Sequence, residues 1–375
     1  MAPRTRSNRV EKVALQQLLA SGQPINTHGL PALPDELYLE IASQFPAMPV
    51  PTPEIPQGSE AEKYHDRYFT LLSLTQTCQA LRRVFLRYLW QRIEVYDGMK
   101  AVEGTLGNGG QGHGWRSARR QALGKGYAQE LVRQLEVVTI RDPSLAVHVN
   151  ILNVTVLEYS FESVMEELAR CIALFPNLHT IQLHIKAAYK HRSFMFNVFK
   201  QYTYPQIRTI SVSSWGSPII DSCPRMVRLY SFTDVPWLGS LDLVLKYSQL
   251  EVLGAPLSKN SISKYSLDCL PLYLPNLRDV TLDRLALRLG FDWIKPLMKL
   301  RNLHIIRLRM DISSGLYPST PGASPSERSE WVKWSLDILS RNRNPEAVNK
   351  RVIWTDSKGE VKVYRVEEIA QELES

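Results

Sequence analysis

The sequence has little that would support a disulfide framework, a zinc site or a membrane span. Its 375 residues include four cysteines, which are scattered singly, without a Cys-x-x-Cys pair or a short His/Cys spacing. This distribution predicts no structural zinc and favours reduced thiols in the cytosol or the nucleus. No apolar run reaches the roughly 18 uncharged residues of a membrane helix, and the basic N-terminal stretch lacks the apolar segment of a secretory signal.

Charge of neither sign is concentrated in the chain. Lys and Arg number 45 against 37 Asp and Glu, which gives a formal net charge of +8, and the basic residues are dispersed. A surplus of this size fits weak attraction to acidic partners but does not by itself indicate a nucleic-acid binder. With 44% hydrophobic residues, the chain has the composition of a folded protein.

Catalytic signatures are also scarce. The stretch GNGGQG at 107–112 matches the glycine spacing of a dinucleotide loop, but no convincing buried strand precedes it, so a flexible loop is the better interpretation. His179 and His184 lie five apart on a predicted strand, which places them on opposite faces and makes a shared metal improbable. We therefore predict a chain without catalytic residues, cofactor or metal.

The N-terminal third reads as two helical segments separated by a proline-rich insertion. Pro34 opens the stretch LPDELYLEIASQF, in which Leu37 and Ile41 fall four apart, and Pro46 ends it. A second segment runs from Tyr68 to Trp90. Its predicted buried stripe consists of Leu71, Leu74, Cys78, Leu81, Phe85 and Leu89. By composition alone, the arginine-rich end of this segment is an ordinary internal helix, and a partner-binding face is the alternative.

Between about residues 134 and 310 a short apolar pattern recurs. Its leading positions are Leu178, Ile207, Met226, Leu250, Leu277 and Leu303. Their spacings of 29, 19, 24, 27 and 26 residues are close to the range of leucine-rich repeats. The pattern predicts parallel strands backed by helices, each unit burying its apolar face against its neighbours.

Strand residues that alternate with the buried ones should form the inner surface of such a stack. In the predicted strands these are Thr180, Gln182, His184, Thr209, Ser211, Ser213, Asp279, Thr281, Asp283, Arg307 and Arg309. The substrate-binding residues that we select from this set are Gln182, His184, Ser211, Ser213, Thr281, Asp283, Arg307 and Arg309. A solvated strand face without a ligand is the alternative for each of them.

Read together, the two N-terminal segments resemble an F-box. The resemblance covers about residues 33–94. It is carried by the Leu-Pro opening, the acidic-Leu step, the isoleucine of the first helix, the leucines that lead to a Cys, the Leu-Arg turn and the closing Leu-Trp. In this sequence those features are Leu33-Pro34, Glu36-Leu37, Ile41, Leu72, Leu74 and Cys78, Leu81-Arg82 and Leu89-Trp90. The insertion at 46–67 departs from the family, although a loop absorbs such length at small entropic cost.

An F-box followed by divergent repeats implies a substrate receptor of an SCF (Skp–cullin–F-box) ubiquitin ligase, in the cytoplasm or the nucleus. The F-box would bind the Skp adaptor and through it the cullin–RING ligase, and the repeats would bind a protein substrate. The resemblance assigns adaptor binding to Leu33, Pro34, Leu37, Ile41, Leu72, Leu74, Leu81, Leu89 and Trp90, with Trp90 as the anchor. Two alternatives stay open: an interaction scaffold outside any ligase, and a basic solenoid that binds nucleic acid.

The expected fold is therefore α/β, with a small helical F-box, an irregular leucine-rich-repeat solenoid and a C-terminal cap. The predicted units are a basic tail (1–29), an F-box-like domain (30–96) with the proline-rich loop 46–67, a Gly-rich loop (97–126), repeats (127–310), a Ser/Pro-rich linker (311–330) and a helix–hairpin–helix cap (331–375).

Overall fold

The computed structural model describes residues 33–44, 62–96, 113–186, 191–231, 242–257, 267–283, 287–309, 324–342, 349–356 and 360–367. Its α-helices are α1 (Asp35–Ser43), α2 (Glu62–Thr77), α3 (Gln79–Leu89), α4 (His113–Glu136), α5 (Phe161–Leu174), α6 (Arg192–Lys200), α7 (Asp242–Leu245), α8 (Leu270–Tyr273), α9 (Phe291–Ile294) and α10 (Pro325–Arg341). Its strands are β1 (Arg92–Val95), β2 (Ile151–Val156), β3 (Thr180–Ile185), β4 (Thr209–Val212), β5 (Arg228–Ser231), β6 (Val252–Leu257), β7 (Asp279–Asp283), β8 (Ile305–Arg309), β9 (Arg351–Thr355) and β10 (Val361–Arg365).

The ten strands form one sheet in which every strand lies beside its neighbour in the sequence. All pairs from β1 to β9 are parallel, and only β9 and β10 pair antiparallel. Parallel neighbours require crossover connections, which here contain the helices and short 3₁₀ segments. The predicted α/β class is confirmed, and the mostly parallel sheet is consistent with an α/β solenoid.

Alternation along the strands separates an apolar core from a polar face. The residues Ile181 and Leu183 of β3 lie in the hydrophobic core, as do their register partners Ile210 and Val212 of β4. The six leading positions of the recurring pattern are all fully buried as well. The pattern in the sequence thus marks the core side of the sheet, because side chains two apart on a strand share a face.

A ladder of side-chain amides connects successive repeats, and the sequence pattern did not reveal it. Asn276, which precedes the leading Leu277, donates to the carbonyl of Ser248 at 3.0 Å, and Asn302 donates to Pro275 at 3.1 Å. The same position gives further bonds of this kind, from Asn177 to Val147, from Gln206 to Ile172 and Phe175, and from Gln249 to Pro224. The recurring Asn or Gln immediately before the leading apolar residue was the available signal.

The N-terminal helices pack on one another and on the start of the sheet. The ring of Tyr38 in α1 meets the ring of Phe85 in α3 edge-on at 5.5 Å, and Arg67 of α2 donates to the carbonyl of Ala42 at 3.3 Å. Cys78 adopts an extended conformation that separates α2 from α3. Helix α2 begins at Glu62, so the last six residues of the expected loop 46–67 are helical, which corrects that boundary.

The expected Gly-rich loop 97–126 is also shorter than predicted. Helix α4 begins at His113, and residues 97–112, which include the GNGGQG motif, lie outside the described residues. Good helix formers dominate from residue 116, and the helix buries Tyr127, Leu131 and Leu135 in the core. Tertiary burial therefore outweighs the cost of three glycines within the helix.

Helix α4 closes the first edge of the sheet through one buried side chain. The Oε1 atom of Gln134 accepts from the backbone N–H of Glu94 at 3.1 Å, and its Nε2 donates to the carbonyl of Glu94 at 3.0 Å. The amide thus satisfies an N–H and a C=O on strand β1 as a neighbouring strand would. Because unpaired edge groups invite pairing with other chains, Gln134 protects this edge.

Replacing Gln134 with alanine should lower the free energy of unfolding by about 2–3 kcal/mol, since two hydrogen bonds are lost and the backbone groups of Glu94 lose their partner. Chemical denaturation measures this change. Gln201→Ala is the matched control, because Gln201 is exposed and its amide donates along its own helix; a cost below about 0.5 kcal/mol is expected there. Equal effects of the two variants would contradict the role of Gln134.

The C-terminal unit ends the sheet with a helix and a hairpin. Helix α10 begins at Pro325 with a capping box between Ser324 and Glu327, so part of the expected linker 311–330 is helical, a correction set by that cap. The rings of Trp331 and Trp354 stack at 6.3 Å and join α10 to β9. Beyond β10 the structure describes residues 366 and 367 in a helical conformation, and the rest of the expected final helix lies outside the described residues.

Candidate functional site

Helices α1 and α2 present large apolar side chains to solvent. Leu37 and Leu39 are each 47% exposed, and Phe69 of α2 is 42% exposed. Tyr38 and Ala42 are buried and fix the inward side of α1, so Leu37 and Leu39 lie on either side of that inward stripe. We call Leu37, Leu39 and Phe69 the N-terminal apolar residues.

The residues predicted to bind the adaptor divide into three groups. Pro34 and Leu37 are exposed. Four are partly buried, namely Leu33, Ile41, Leu72 and Leu74. Three are buried in the core of the chain, namely Leu81, Leu89 and Trp90. The expectation that these three side chains contact a partner is therefore corrected. Even Trp90, the expected anchor, is only 6% exposed, because it packs where α3 joins the sheet.

The arginines of the segment that ends at Trp90 lie away from the core. Arg82, Arg83 and Arg87 are exposed on α3, whereas Leu81 and Phe85 are buried. The guanidinium of Arg87 lies over the ring of Tyr88, 4.9 Å from its centre. The segment is thus an amphipathic helix of the folded chain, which agrees with the interpretation that composition alone favoured.

The predicted inner-surface residues lie on the face of the sheet opposite the core. We call this face the polar sheet face, and its central row includes Asn153, Gln182, Ser211, Tyr230, Thr281 and Arg307. Of the predicted substrate residues, His184, Asp283, Arg307 and Arg309 are partly buried. Gln182, Ser211, Ser213 and Thr281 are buried, which corrects the expectation of an open surface at these positions. Side chains in register on strands about 4.8 Å apart shield one another from solvent.

Ser213 and the central row differ in hydrogen bonding. The hydroxyl of Ser213 accepts from the backbone N–H of Ile185 at 2.8 Å and donates to its carbonyl at 3.2 Å, so this side chain joins two strands. In contrast, both amide atoms of Gln182 and the hydroxyls of Ser211 and Thr281 are buried without a hydrogen-bond partner. Unbonded buried polar atoms cost free energy, so these side chains lower the stability of the sheet rather than form an exposed surface.

An ion pair crosses the same face between β7 and β8. The Nε of Arg307 lies 2.9 Å from both carboxylate oxygens of Asp279, and an Nη lies 2.8 Å from Oδ2. Burial raises the pKa of Asp279 to about 7, and Arg351 partly opposes this shift. Burial also lowers the pKa of Arg307 to about 10, with a further contribution from Arg351. Arg307 thus belongs to the packing of the sheet as well as to its surface.

Neither a metal-binding cluster nor a membrane-spanning helix is found in the part of the chain that the structure describes. No group of three or more His, Cys, Asp or Glu there is arranged to hold a metal ion. Among those same residues, no helix is both long and apolar enough for a bilayer span. No protein-family model matches the sequence, and no curated protein matches it. The class that the fold defines is an α/β protein, whose described residues form one mostly parallel sheet of ten strands.

Proposed function

We propose that this chain is a substrate-recognition subunit of an SCF ubiquitin ligase. Its N-terminal helices would bind the Skp adaptor, and its polar sheet face would bind a protein substrate. The observation that carries the proposal is the exposure of Leu37 and Leu39 on a helix that Tyr38 and Ala42 fix to the body of the chain. The residues of the F-box resemblance supply the identity of the partner.

The N-terminal apolar residues suit a helical partner. Exposed apolar side chains gain free energy when a partner removes them from water, at about 25 cal/mol per Å² of apolar area. Because α1 contacts α3 through Tyr38 and Phe85, these side chains are held in place before the partner arrives. A preorganised surface loses less conformational entropy on binding. Leu39 and Phe69 join Leu37 in the proposed adaptor surface, and the buried side chains of Leu81, Leu89 and Trp90 are excluded from it.

The polar sheet face supplies the second half of the proposal. The partly buried side chains of His184, Asp283 and Arg309 offer both donors and acceptors, which suits a polar segment of a protein. Arg309 of β8 lies on the same face, near the carboxyl end of the strand. A rigid sheet that holds a substrate beside a ubiquitin-conjugating enzyme would raise the local concentration of its lysines, to roughly millimolar for short flexible tethers. Ubiquitin transfer itself would occur on the partner enzymes.

Replacing Leu37 with aspartate should abolish capture of the Skp adaptor while leaving the chain folded. The carboxylate would need to be desolvated against an apolar partner, and the leucine is exposed in the free chain, so its removal creates no cavity. The measurement is a pull-down of purified adaptor, with circular dichroism and thermal melting as checks of folding. At least a hundredfold weaker binding is expected, about 2.7 kcal/mol.

The matched control is Leu272→Asp on α8, because Leu272 is 76% exposed and lies in the connection between β6 and β7, several strands away from β1. This variant should bind the adaptor as the wild type does. Loss of capture in both variants, or in neither, would contradict the assignment of the surface. If the folded wild-type chain fails to bind the adaptor, the ligase proposal is wrong, and an interaction scaffold outside the ligase is favoured instead.

A further inference from the structure

The two edge strands of the sheet, β1 and β10, differ in what contacts their outer sides. Gln134 bonds to the backbone of Glu94 and closes the edge at β1. At the other end, no described strand pairs with the outer edge of β10. Both faces of β10 are also open: Val361 is 44% and Val363 is 48% exposed, and Lys362 is exposed on the opposite face.

The hairpin register shows which backbone groups point outward. The N–H of Asp356 donates to the carbonyl of Glu360, and the N–H of Val366 donates to the carbonyl of Lys350. Both bonds join residues directly opposite each other in the β9–β10 register. Because bonded and non-bonded pairs alternate in an antiparallel ladder, Lys362 and Tyr364 bond toward β9. The N–H and C=O groups of Val361 and Val363 therefore point away from the sheet.

We propose that β10 pairs antiparallel with β10 of a second copy of this chain, which would form a two-fold dimer with one continuous sheet. In the register centred on Val363, this residue lies opposite itself and its outward N–H and C=O meet their counterparts. Val361 then lies opposite Arg365, and Lys362 opposite Tyr364, so no like charges face each other directly. Centring on Lys362 would place two lysines opposite each other, which disfavours that register.

The second copy fits this edge for two further reasons. The exposed valines of both copies would lie on the same face of the joined sheet and cover one another, which removes apolar surface from water. Val363 also lies in register with Ile353, a buried residue of β9 that follows Arg307 in the same row, so the new contact would extend the apolar pair at the end of this row. A contact of this kind is isologous, because the same strand serves both copies.

The test is sedimentation equilibrium of the full chain over a wide range of concentrations, with two variants at one position. Val363→Pro removes the outward N–H but no bond to β9, since proline is tolerated on the open side of an edge strand. It should weaken the dimer at least about tenfold, because two interchain hydrogen bonds are lost. Val363→Thr keeps the N–H and the branched shape, and it should dimerise nearly as the wild type does.

Hydrogen exchange resolved to single amides gives an independent measurement. Rising concentration should protect the amides of Val361 and Val363, whereas those of Lys362 and Tyr364 should be protected at every concentration. If the amides of Lys362 and Tyr364 lose their protection in the proline variant, Val363→Lys replaces that variant in the test. Lysine keeps the outward N–H but places like charges opposite each other, so Val363→Lys should also prevent dimerisation. A wild type that remains monomeric, or a dimer that neither Val363→Pro nor Val363→Lys weakens, would overturn the proposal.

Discussion

Replacing Trp90 with alanine is expected to lower the free energy of unfolding by about 3–5 kcal/mol, the usual cost of truncating a buried aromatic side chain. The indole is 6% exposed and belongs to the hydrophobic core. It follows directly on Leu89 at the end of α3 and precedes β1, so the cavity would open between the helices and the sheet. Urea denaturation followed by circular dichroism measures the loss.

The comparison with Leu37→Asp separates two roles that the sequence assigned to one surface. Trp90→Ala should unfold at clearly lower urea concentration, and its adaptor binding should weaken only in proportion to the fraction unfolded. Leu37→Asp should show the reverse, with unchanged unfolding and lost binding. If Trp90→Ala unfolds as the wild type does but no longer binds the adaptor, then Trp90 contacts the partner, and its burial in the free chain must be relieved on binding.

Replacing Arg307 with methionine is expected to destabilise the chain by about 3–5 kcal/mol, because the buried carboxylate of Asp279 would lose its guanidinium partner. Asp279 lies in register between Val252 and Ile305, two apolar residues, so no other cation directly flanks it in the sheet. The double variant Asp279→Val with Arg307→Met should recover most of the loss, since an apolar pair of this size suits those neighbours. Denaturation of the three variants in a double-mutant cycle measures the coupling.

The pH dependence of stability provides a second readout for this pair. Burial raises the pKa of Asp279 to about 7 from 3.8, so the folded chain binds more protons than the unfolded chain between these values. The free energy of unfolding should therefore fall as pH rises through this window, with the full contribution of Asp279 present below it. Asp279→Asn should remove this slope. A slope of the same size in the variant would assign it to another group.

Arg307 also shows why a charged strand residue is a poor choice for testing substrate binding. From the alternation alone, Arg307 belongs to the inner surface, and a charge reversal there would be expected to affect only a ligand. Its bidentate contact with Asp279 means that Arg307→Glu would bring two buried carboxylates together. The resulting loss of stability would mask any effect on substrate. Arg309, which is partly exposed on the same strand, is the better position for that test.

The sequence by itself determined the α/β class, the positions of the six strands β3 to β8 and the face on which their alternating polar residues lie, whereas β1 falls in the segment that was expected to be helical. It could do so because side chains two apart on a strand share a face, and because burial imposes that period on the residues. The strand residues Ile181, Leu183, Ile210 and Val212 are accordingly all buried, and Leu178 and its five counterparts, which precede the strands, are buried as well. The helix at 35–43 followed from its spacing in a similar way, with a period of four residues.

Only the tertiary structure decided which side chains of those elements remain in contact with solvent. Trp90 and Leu37 belong to similar apolar patterns, yet the fold buries one and exposes the other, because exposure depends on which elements pack on a helix. The same holds for Gln134, whose bonds reach a strand 40 residues away, and for the open edge of β10. Local spacing carries no information about such distant neighbours, and these neighbours determine which surfaces a partner can reach.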